Sequence, residues 1–329
     1  MHYLVTGGSG FIGSALVRRL VQEGHTVRVF DNLSRGMARR LSGLEGQIEF
    51  IQGDVRDADA VDRAVRGTDS VCHLAFINGT EFFYQKPGLV MEVGIKGMFH
   101  VMDACHRHGT PELVLASSSE VYQTPPSIPT AEDVPLSVPN PLNPRYSYGS
   151  AKIIGELLAL HYAAGSLKRV LIFRPHNVYG PDMGWEHVIP QFVVRMKRLC
   201  EVTGEKSIRF PIQGTGDETR AFVHIDDFVE GLWRVMQKGE HRNIYHIGTR
   251  EEVPMRRIAS LVGEYFGRKV EVERGVDACW GTPRRCPDIT RLEVLGYRPR
   301  LTLAEGLPGV ARWYDEHSHE APDHGAVKG

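Results

Sequence analysis

A chain of 329 residues, 42% hydrophobic and 24% charged, is long enough for one large domain or two coupled ones. Its formal net charge of -1 gives no global attraction to nucleic acid or to an anionic membrane. No apolar run approaches the ~18 residues of a membrane span. The five cysteines (Cys72, Cys105, Cys200, Cys279, Cys286) include no CxxC pair and no metal-ligand spacing, and the fifteen histidines are scattered. Neither a disulfide framework nor a metal is expected. With a strand predicted almost from the first residue, no signal peptide is expected and a cytoplasmic enzyme is the default.

Short β-branched runs alternate with helical periodicity along the first half. Strands are predicted over 3–6, 26–30, 48–51, 70–74, 113–116 and 170–173, with helices over 12–22, 57–65, 89–106 and 150–163. Such alternation predicts an α/β fold with a Rossmann-type, doubly wound parallel sheet that binds ligands at the carboxyl ends of its strands. Residues 1–175 are assigned to this dinucleotide-binding domain. Past 175 the pattern loosens into helices over 188–199, 226–236, 254–266 and 304–316, with a strand over 243–247 crossing back. A smaller C-terminal substrate-binding domain is expected from 176–220 and 249–317. A segment near 221–248 returns to the first domain, and 318–329 is a polar tail. Residues 124–144 carry seven prolines and little periodicity, which reads as a stiff lid or as a surface connection.

Thr6-Gly7-Gly8-Ser9-Gly10-Phe11-Ile12-Gly13 follows the first strand and opens the first helix. Gly7 permits a tight turn, Gly10 lets the backbone approach a pyrophosphate, and Gly13 lets helix and strand pack closely, with the helix N-terminus facing the phosphates. Asp31 ends the second strand, where a carboxylate accepts hydrogen bonds from adenosine ribose hydroxyls and repels a 2′-phosphate. NAD is therefore expected over NADP, with Arg35 arguing the other way. Asp54 ends the third strand, where an adenine edge would lie. A helix N-cap is its plainer role, although Asp57 suits that role better. His73-Leu74-Ala75 closes the fourth strand, and the small Ala75 lets the backbone touch a cofactor.

Tyr148-Gly149-Ser150-Ala151-Lys152 places a phenol and an ammonium four residues apart, neighbours on one helical face. A free phenol ionises near pH ~10, and a cation within a few ångströms lowers that value. Lys152 is thus expected to sit under Tyr148 and favour the phenolate, a base for a sugar or alcohol hydroxyl.

In this order the motifs resemble the extended short-chain dehydrogenase/reductase family, in its NAD-dependent nucleotide-sugar epimerase/dehydratase branch. The likeness runs from Gly7 to about Pro299. It includes Asp31-Asn32, Gly53-Asp54-Val55, Ser117-Ser118-Ser119-Glu120-Val121-Tyr122 and Arg174-Pro175-His176-Asn177-Val178-Tyr179-Gly180-Pro181. It continues through Thr219-Arg220-Ala221-Phe222-Val223-His224-Ile225-Asp226-Asp227 and Arg284-Arg285-Cys286-Pro287-Asp288. The resemblance implies NAD contacts from Gly7, Gly10, Phe11, Ile12 and Gly13, from Asp31, Asn32, Asp54 and Val55, and from Leu74, Ala75, Ser117, Tyr148 and Lys152. It also implies oxidation at C4 of a sugar carried on a nucleotide diphosphate. Tyr148 takes the hydroxyl proton and NAD⁺ the hydride, while Lys152 holds the phenolate and the nicotinamide ribose. A strand-end serine shares the proton; Ser118 matches best by count, with Ser117 and Ser119 its rivals. Substrate contacts fall on Ser119, Asn177, Arg220 and Arg284 or Arg285, since guanidinium can bind phosphate oxygens in two places. His176 stands where an aromatic is usual, a candidate for selectivity.

The fate of the 4-keto intermediate turns on Glu120. A 4-epimerase needs no acid there, whereas a dehydratase needs a base for the C5 proton and a uronic acid decarboxylase also carries a glutamate at this place. Ser119 replaces the aspartate of many 4,6-dehydratases, and the surroundings of Glu120, Arg220 and Arg285 also look like UDP-glucuronate decarboxylases, while 146–151 does not. Epimerase/dehydratase is the leading expectation and decarboxylase the alternative. A non-catalytic NAD-binding sensor would have no use for a phenolate, and Asp31 disfavours an NADPH reductase. The helices over 89–106 and 150–163 pair with their copies in a four-helix interface in this family, so a homodimer is expected.

Overall fold

The computed structural model describes residues 1–162, 165–275 and 282–322. The first half runs β1 (His2–Thr6), α1 (Phe11–Gln22), β2 (Thr26–Asp31), β3 (Ile48–Gln52), α2 (Ala58–Val65), β4 (Ser70–His73), α3 (Thr80–Gln85) and α4 (Pro87–Met91). A π turn (Glu92–Lys96) leads straight into α5 (Gly97–His108). After β5 (Glu112–Ala116) comes α6 (Ser147–Leu157), a second π turn (Leu158–Tyr162) and β6 (Arg169–Pro175). The second half runs β7 (Val178–Tyr179), α7 (Val188–Val202), β8 (Ser207–Ile212), β9 (Thr219–Ala221), β10 (Val223–His224), α8 (Ile225–Lys238) and β11 (Asn243–Ile247). It ends with β12 (Glu252–Pro254), α9 (Met255–Tyr265), β13 (Lys269–Arg274), β14 (Arg284–Arg285), α10 (Thr290–Val294) and α11 (Leu303–Glu316).

Seven strands form one parallel sheet in the order β11-β6-β5-β4-β1-β2-β3. Its inner strands read as largely apolar runs because both faces are covered, while edge strand β3 has no buried residue. Every residue of β5 is buried, Glu112 included, and that carboxylate is satisfied by Ser70 (2.8 Å) and Arg169 (2.7 Å). On one face α1 and α8 pack over Val5, Val29, Val114 and Phe173. On the other, α2 and α5 close over Leu4, Val71, Leu113 and Ile172, with Tyr148 of α6 joining that core. A third core gathers α7, α9 and α11 around Phe210 and Tyr179, beside the small parallel pair β8–β13.

The lid reading of 124–144 gives way to a pinned connection. Thr130 exchanges backbone bonds with Cys286 (2.9 Å) and Asp288 (2.7 Å), and the Glu132 side chain accepts from the His246 amide at 3.1 Å. α6 begins three residues earlier than the periodicity suggests, after a short turn capped by Asn143, whose side chain accepts from Arg145 N. The predicted end of that helix at Ala163, Cys279 and residues 323–329 of the tail lie outside the described residues. The other four cysteines are free thiols.

Behind the strand ends lies a buried ion pair. Arg174 at the end of β6 grips Glu156 of α6 with two bonds (2.8 and 2.6 Å), the side chains 2% and 3% exposed. Its Nη1 also donates to the Tyr122 hydroxyl and to Glu132 O (2.8 Å). Removing one member of such a pair leaves an uncompensated buried charge. Arg174→Ala is therefore expected to cost about 3–5 kcal/mol in urea unfolding, and Arg174→Met with Glu156→Leu much less. A single-variant loss below about 1 kcal/mol would contradict this.

Candidate active site

Glycine chemistry shapes the turn after β1. Gly7 adopts a left-handed φ of 71°, and a Cβ there would meet Ala75 at 2.8 Å. A Cβ on Gly13 would overlap the Gly7 carbonyl, so α1 lies directly on the turn. Its N-cap is Gly10, without a side-chain cap, which leaves the first-turn amides for an anion. Thr6 Oγ1 bonds His73 Nδ1 (2.8 Å) and accepts from Ala75 N (3.2 Å), fixing Leu74 and Ala75 beside the turn just past the end of β4. Phe11 and Ile12 are half-buried on the first turn of α1, Phe11 facing Gly180.

Asp31 is 7% exposed, with its carboxylate accepting from Ser9 N (2.9 Å) and Leu33 N (2.8 Å). A carboxylate offers about four acceptor sites, so two remain for ribose hydroxyls. Asp54 is gripped by Arg56 (2.7 and 3.0 Å) and receives Asn32 Nδ2 at 3.0 Å, which holds its carboxyl down at about 2. Asp57 caps α2, accepting from Ala60 N. Val55 is buried, and its carbonyl is bonded to His100 (2.9 Å). The uncapped helix, the glycine cradle and the spare lone pairs of Asp31 fit a dinucleotide.

Next to the cradle lies the Tyr148 phenol, 7% exposed, stacked on Phe83 (4.9 Å) and edge-on to Phe76 (5.1 Å). Burial pushes it up to about 12, against a hydrogen bond with Ser118 that pulls it down. Lys152 Nζ lies over the phenol ring at 5.8 Å, as the spacing suggests, but closer to Phe76 (3.9 Å), and it donates to Ala116 O (2.7 Å). Burial lowers its ammonium to about 7, opposed by Glu156. In the protein alone, desolvation therefore outweighs the mutual effect of the pair.

The three serines are separated by what they touch. Ser117 donates to Glu156 Oε1 and so turns away toward the buried ion pair. Ser118 accepts from Glu120 N (3.1 Å) and meets Tyr148. Ser119 is half-buried at the head of a short 3-10 turn (Ser119–Val121).

Glu120 is held among cations: Arg285 donates to its Oε1, and Arg145 lies 3.9 Å from Oε2. Burial pushes its carboxyl up, but Arg285, Arg145 and Arg220 outweigh that and hold it below the usual carboxylate range. Arg220 lies nearby, its Nη1 on Thr219 O (2.7 Å), pushed down to about 10 by burial and Arg285. Neighbouring residues of β14 point to opposite faces. The Arg285 side chain is 14% exposed and faces Glu120, while Arg284 is 56% exposed and clasps Glu252 (2.6 and 3.0 Å). Asn177 has φ 40° and donates to Ala221 O (3.1 Å). His176 is buried against His246 (4.6 Å), and its burial keeps the ring neutral. Among the described residues there is no cluster suited to a metal.

Reading by motif missed Phe76, Phe83, Arg145 and the Glu156–Arg174 pair. Glu156 was signalled only by its place one turn beyond Lys152.

A parallel sheet with a glycine cradle at its carboxyl edge and a tyrosine–lysine–serine group beside it defines a dinucleotide-dependent enzyme. The sequence model of the NAD dependent epimerase/dehydratase family matches residues 3–248, and the chain belongs to that family, with NAD as its cofactor. It is 32% identical over 313 residues to UDP-glucuronic acid decarboxylase 2 of Arabidopsis thaliana, covering 94% of this chain and 67% of that protein. It superposes on the dTDP-glucose 4,6-dehydratase DesIV of Streptomyces venezuelae, crystallised with NAD, with a TM-score of 0.84 and 30% identity over 98% and 99% of the two chains. A UDP-glucose 4-epimerase of Thermotoga maritima, crystallised with UDP-glucose, gives 0.83 at 27% identity over 97% and 100%.

Removing the Arg285 guanidinium frees the Glu120 carboxyl to rise. Arg285→Met is expected to move its titration to higher pH in carbon NMR of protein labelled at the glutamate carboxyl, and Arg284→Met to leave it in place. A titration unmoved by Arg285→Met would contradict the pairing.

Proposed function

We propose that this enzyme modifies a nucleotide-diphosphate sugar by transient oxidation at C4, with epimerisation or dehydration as the overall outcome. The observation that carries the reading is the buried Tyr148–Lys152 pair, with Lys152 Nζ bonded to Ala116 O at the end of β5, on the same sheet edge as the uncapped glycine turn. NAD, when bound, supplies the hydride acceptor. Gly7, Gly10, Gly13 and Asp31 would hold its diphosphate and ribose, with Asn32, Asp54, Val55, Leu74 and Ala75 along its length. Tyr148, as the phenolate that Lys152 and a bound nicotinamide cation would favour, receives the C4 hydroxyl proton, Ser118 bridges that hydroxyl to the phenol, and Lys152 fixes the ribose side. Phe76 and Phe83 exclude water from the phenol, as hydride chemistry requires. Arg285 and Arg220, with Asn177, face the diphosphate.

Glu120, kept ionised, is suited to take the C5 proton that a 4-ketone makes acidic. A second reading, decarboxylation of a uronic acid sugar, is favoured by Arg145, Arg220 and Arg285 around one carboxylate. With Arg220 and Arg285 turned to the diphosphate, Arg145 remains as a cation that would accept an anionic C6. The protein is also proposed to be a homodimer through α5 and α6. Leu157 and Tyr162 there are 53% and 51% exposed, and Phe99 packs edge-on to Tyr162 at 5.0 Å. A monomer mass in light scattering at micromolar concentration would exclude that interface. Among the described residues no helix is long and apolar enough to cross a membrane.

Incubation with a panel of nucleotide sugars, read by mass spectrometry and NMR, distinguishes the outcomes. Unchanged mass with altered couplings marks epimerisation, loss of water dehydration, and loss of carbon dioxide decarboxylation. Tyr148→Phe is expected to lower turnover at least ~10²-fold while NAD affinity stays nearly unchanged. An active Tyr148→Phe enzyme would overturn the assignment, and tight NAD binding without turnover of any sugar would favour a sensor.

A further inference from the structure

Phe76 follows Ala75 directly after β4, and its ring is seated between the two helices behind the active site. Gly94, inside the π turn before α5, provides the space: a Cβ there would lie 2.5 Å from Phe76 Cζ and 3.0 Å from Ala151 Cβ. A π turn inserted in a helix often marks a functional position, and here it opens the notch that the ring fills. The ring centroid is 3.9 Å from Lys152 Nζ, and its edge contact with Tyr148 is 5.1 Å. One aromatic residue thus touches both members of the Tyr148–Lys152 pair.

We propose that Phe76, seated in the Gly94 notch, is the positioning residue that keeps Lys152 charged and aimed at the cofactor, through a cation–π contact with its ammonium. The proposal rests on the reading of Lys152 as the group that holds the cofactor ribose. An ammonium offers three donors, and one is spent on Ala116 O at 2.7 Å. Solvent can serve at most one of the other two: the space left beside Lys152, between His73, Phe76 and Met98, is a cavity of about 10 Å³, the size of a single water. The charged and titratable neighbours leave the ring a clear role. Glu156, one turn on along α6, is committed to Arg174 and Ser117. His73, from β4, is kept neutral by its own burial, at about 3. Tyr148 is uncharged at neutral pH. The electron-rich face of Phe76 therefore offsets part of the desolvation that Lys152 suffers in this pocket.

The test follows the Lys152 titration directly, without turnover. In NAD-loaded protein carrying [ε-13C]lysine, the Lys152 signal is assigned by its loss in Lys152→Arg. Phe76→Leu, which keeps bulk but removes the π face, is expected to lower the midpoint by about 0.5–1.5 pH units. Gly94→Ala, which displaces the ring, is expected to lower it as Phe76→Leu does. Should Phe76→Leu fail to fold, a ring-trifluorinated phenylalanine at 76 keeps the shape, weakens the quadrupole and gives a shift of the same sign. An unchanged midpoint in Phe76→Leu, or in the trifluorinated variant, would overturn the proposal. Because the signal needs no sugar, this failure is separable from failure of the functional reading, which shows as missing turnover beside an intact Phe76 effect.

Discussion

The arrangement of the site depends on the buried pair between Arg174 and Glu156. Two ions taken out of water are tolerated only when nearly every donor and acceptor is satisfied. Here the satisfaction comes from three strand ends and a helix. Glu156 on α6 takes Arg174 from β6 and the Ser117 hydroxyl just past β5, while Arg174 reaches Tyr122 and Glu132, and His246 of β11 bonds both. One turn earlier on the same helix, Lys152 bonds Ala116 O. α6 is thereby locked in register against the end of β5. Ser118, one residue beyond the locked segment, can meet Tyr148 only in that register.

Around this lock the site divides into an apolar half and a cationic half. In the apolar half, Phe76 and Phe83 enclose Tyr148, and burial drives the phenol up and the ammonium down. Both shifts raise the energy of the charged forms, the phenolate and the ammonium, so that a partner charge is needed to favour them. In the cationic half, Arg145, Arg220 and Arg285 surround Glu120 and keep it ionised despite its burial. A hydride and a proton are best handled in the first environment, and phosphates or a carboxylate in the second. The proposed substrate spans the two.

Much of this was legible in the sequence because the parallel sheet writes a strong signal. The largely apolar inner strands, the glycine turn and the strand-end aspartate each have a local physical cause, and each stands where it was expected. Tyr148 and Lys152 were legible as a pair, but their electrostatics were not. Four-residue spacing fixes the face of a helix and says nothing about desolvation, which here outweighs their attraction. The motif count favoured Ser118 only narrowly over Ser117 and Ser119, and Arg284 and Arg285 could not be ranked by motif. Their roles follow from which side of a chain end each side chain leaves, and from Glu156 and Glu252, which are far away in sequence. Phe76 was hidden for a similar reason: its seat exists only because Gly94, eighteen residues on, lacks a side chain and lies in a π turn.

The proposed reaction opens with transfer of hydrogen from C4 of the sugar to the cofactor. It is tested most directly by rapid mixing of the NAD-loaded enzyme with a nucleotide sugar that it turns over, protiated or deuterated at C4, following the near-ultraviolet absorbance of reduced nicotinamide. A transient reduced cofactor is expected within the first turnover, formed more slowly from the deuterated sugar. Turnover with no reduced nicotinamide and equal rates for the two sugars would contradict it.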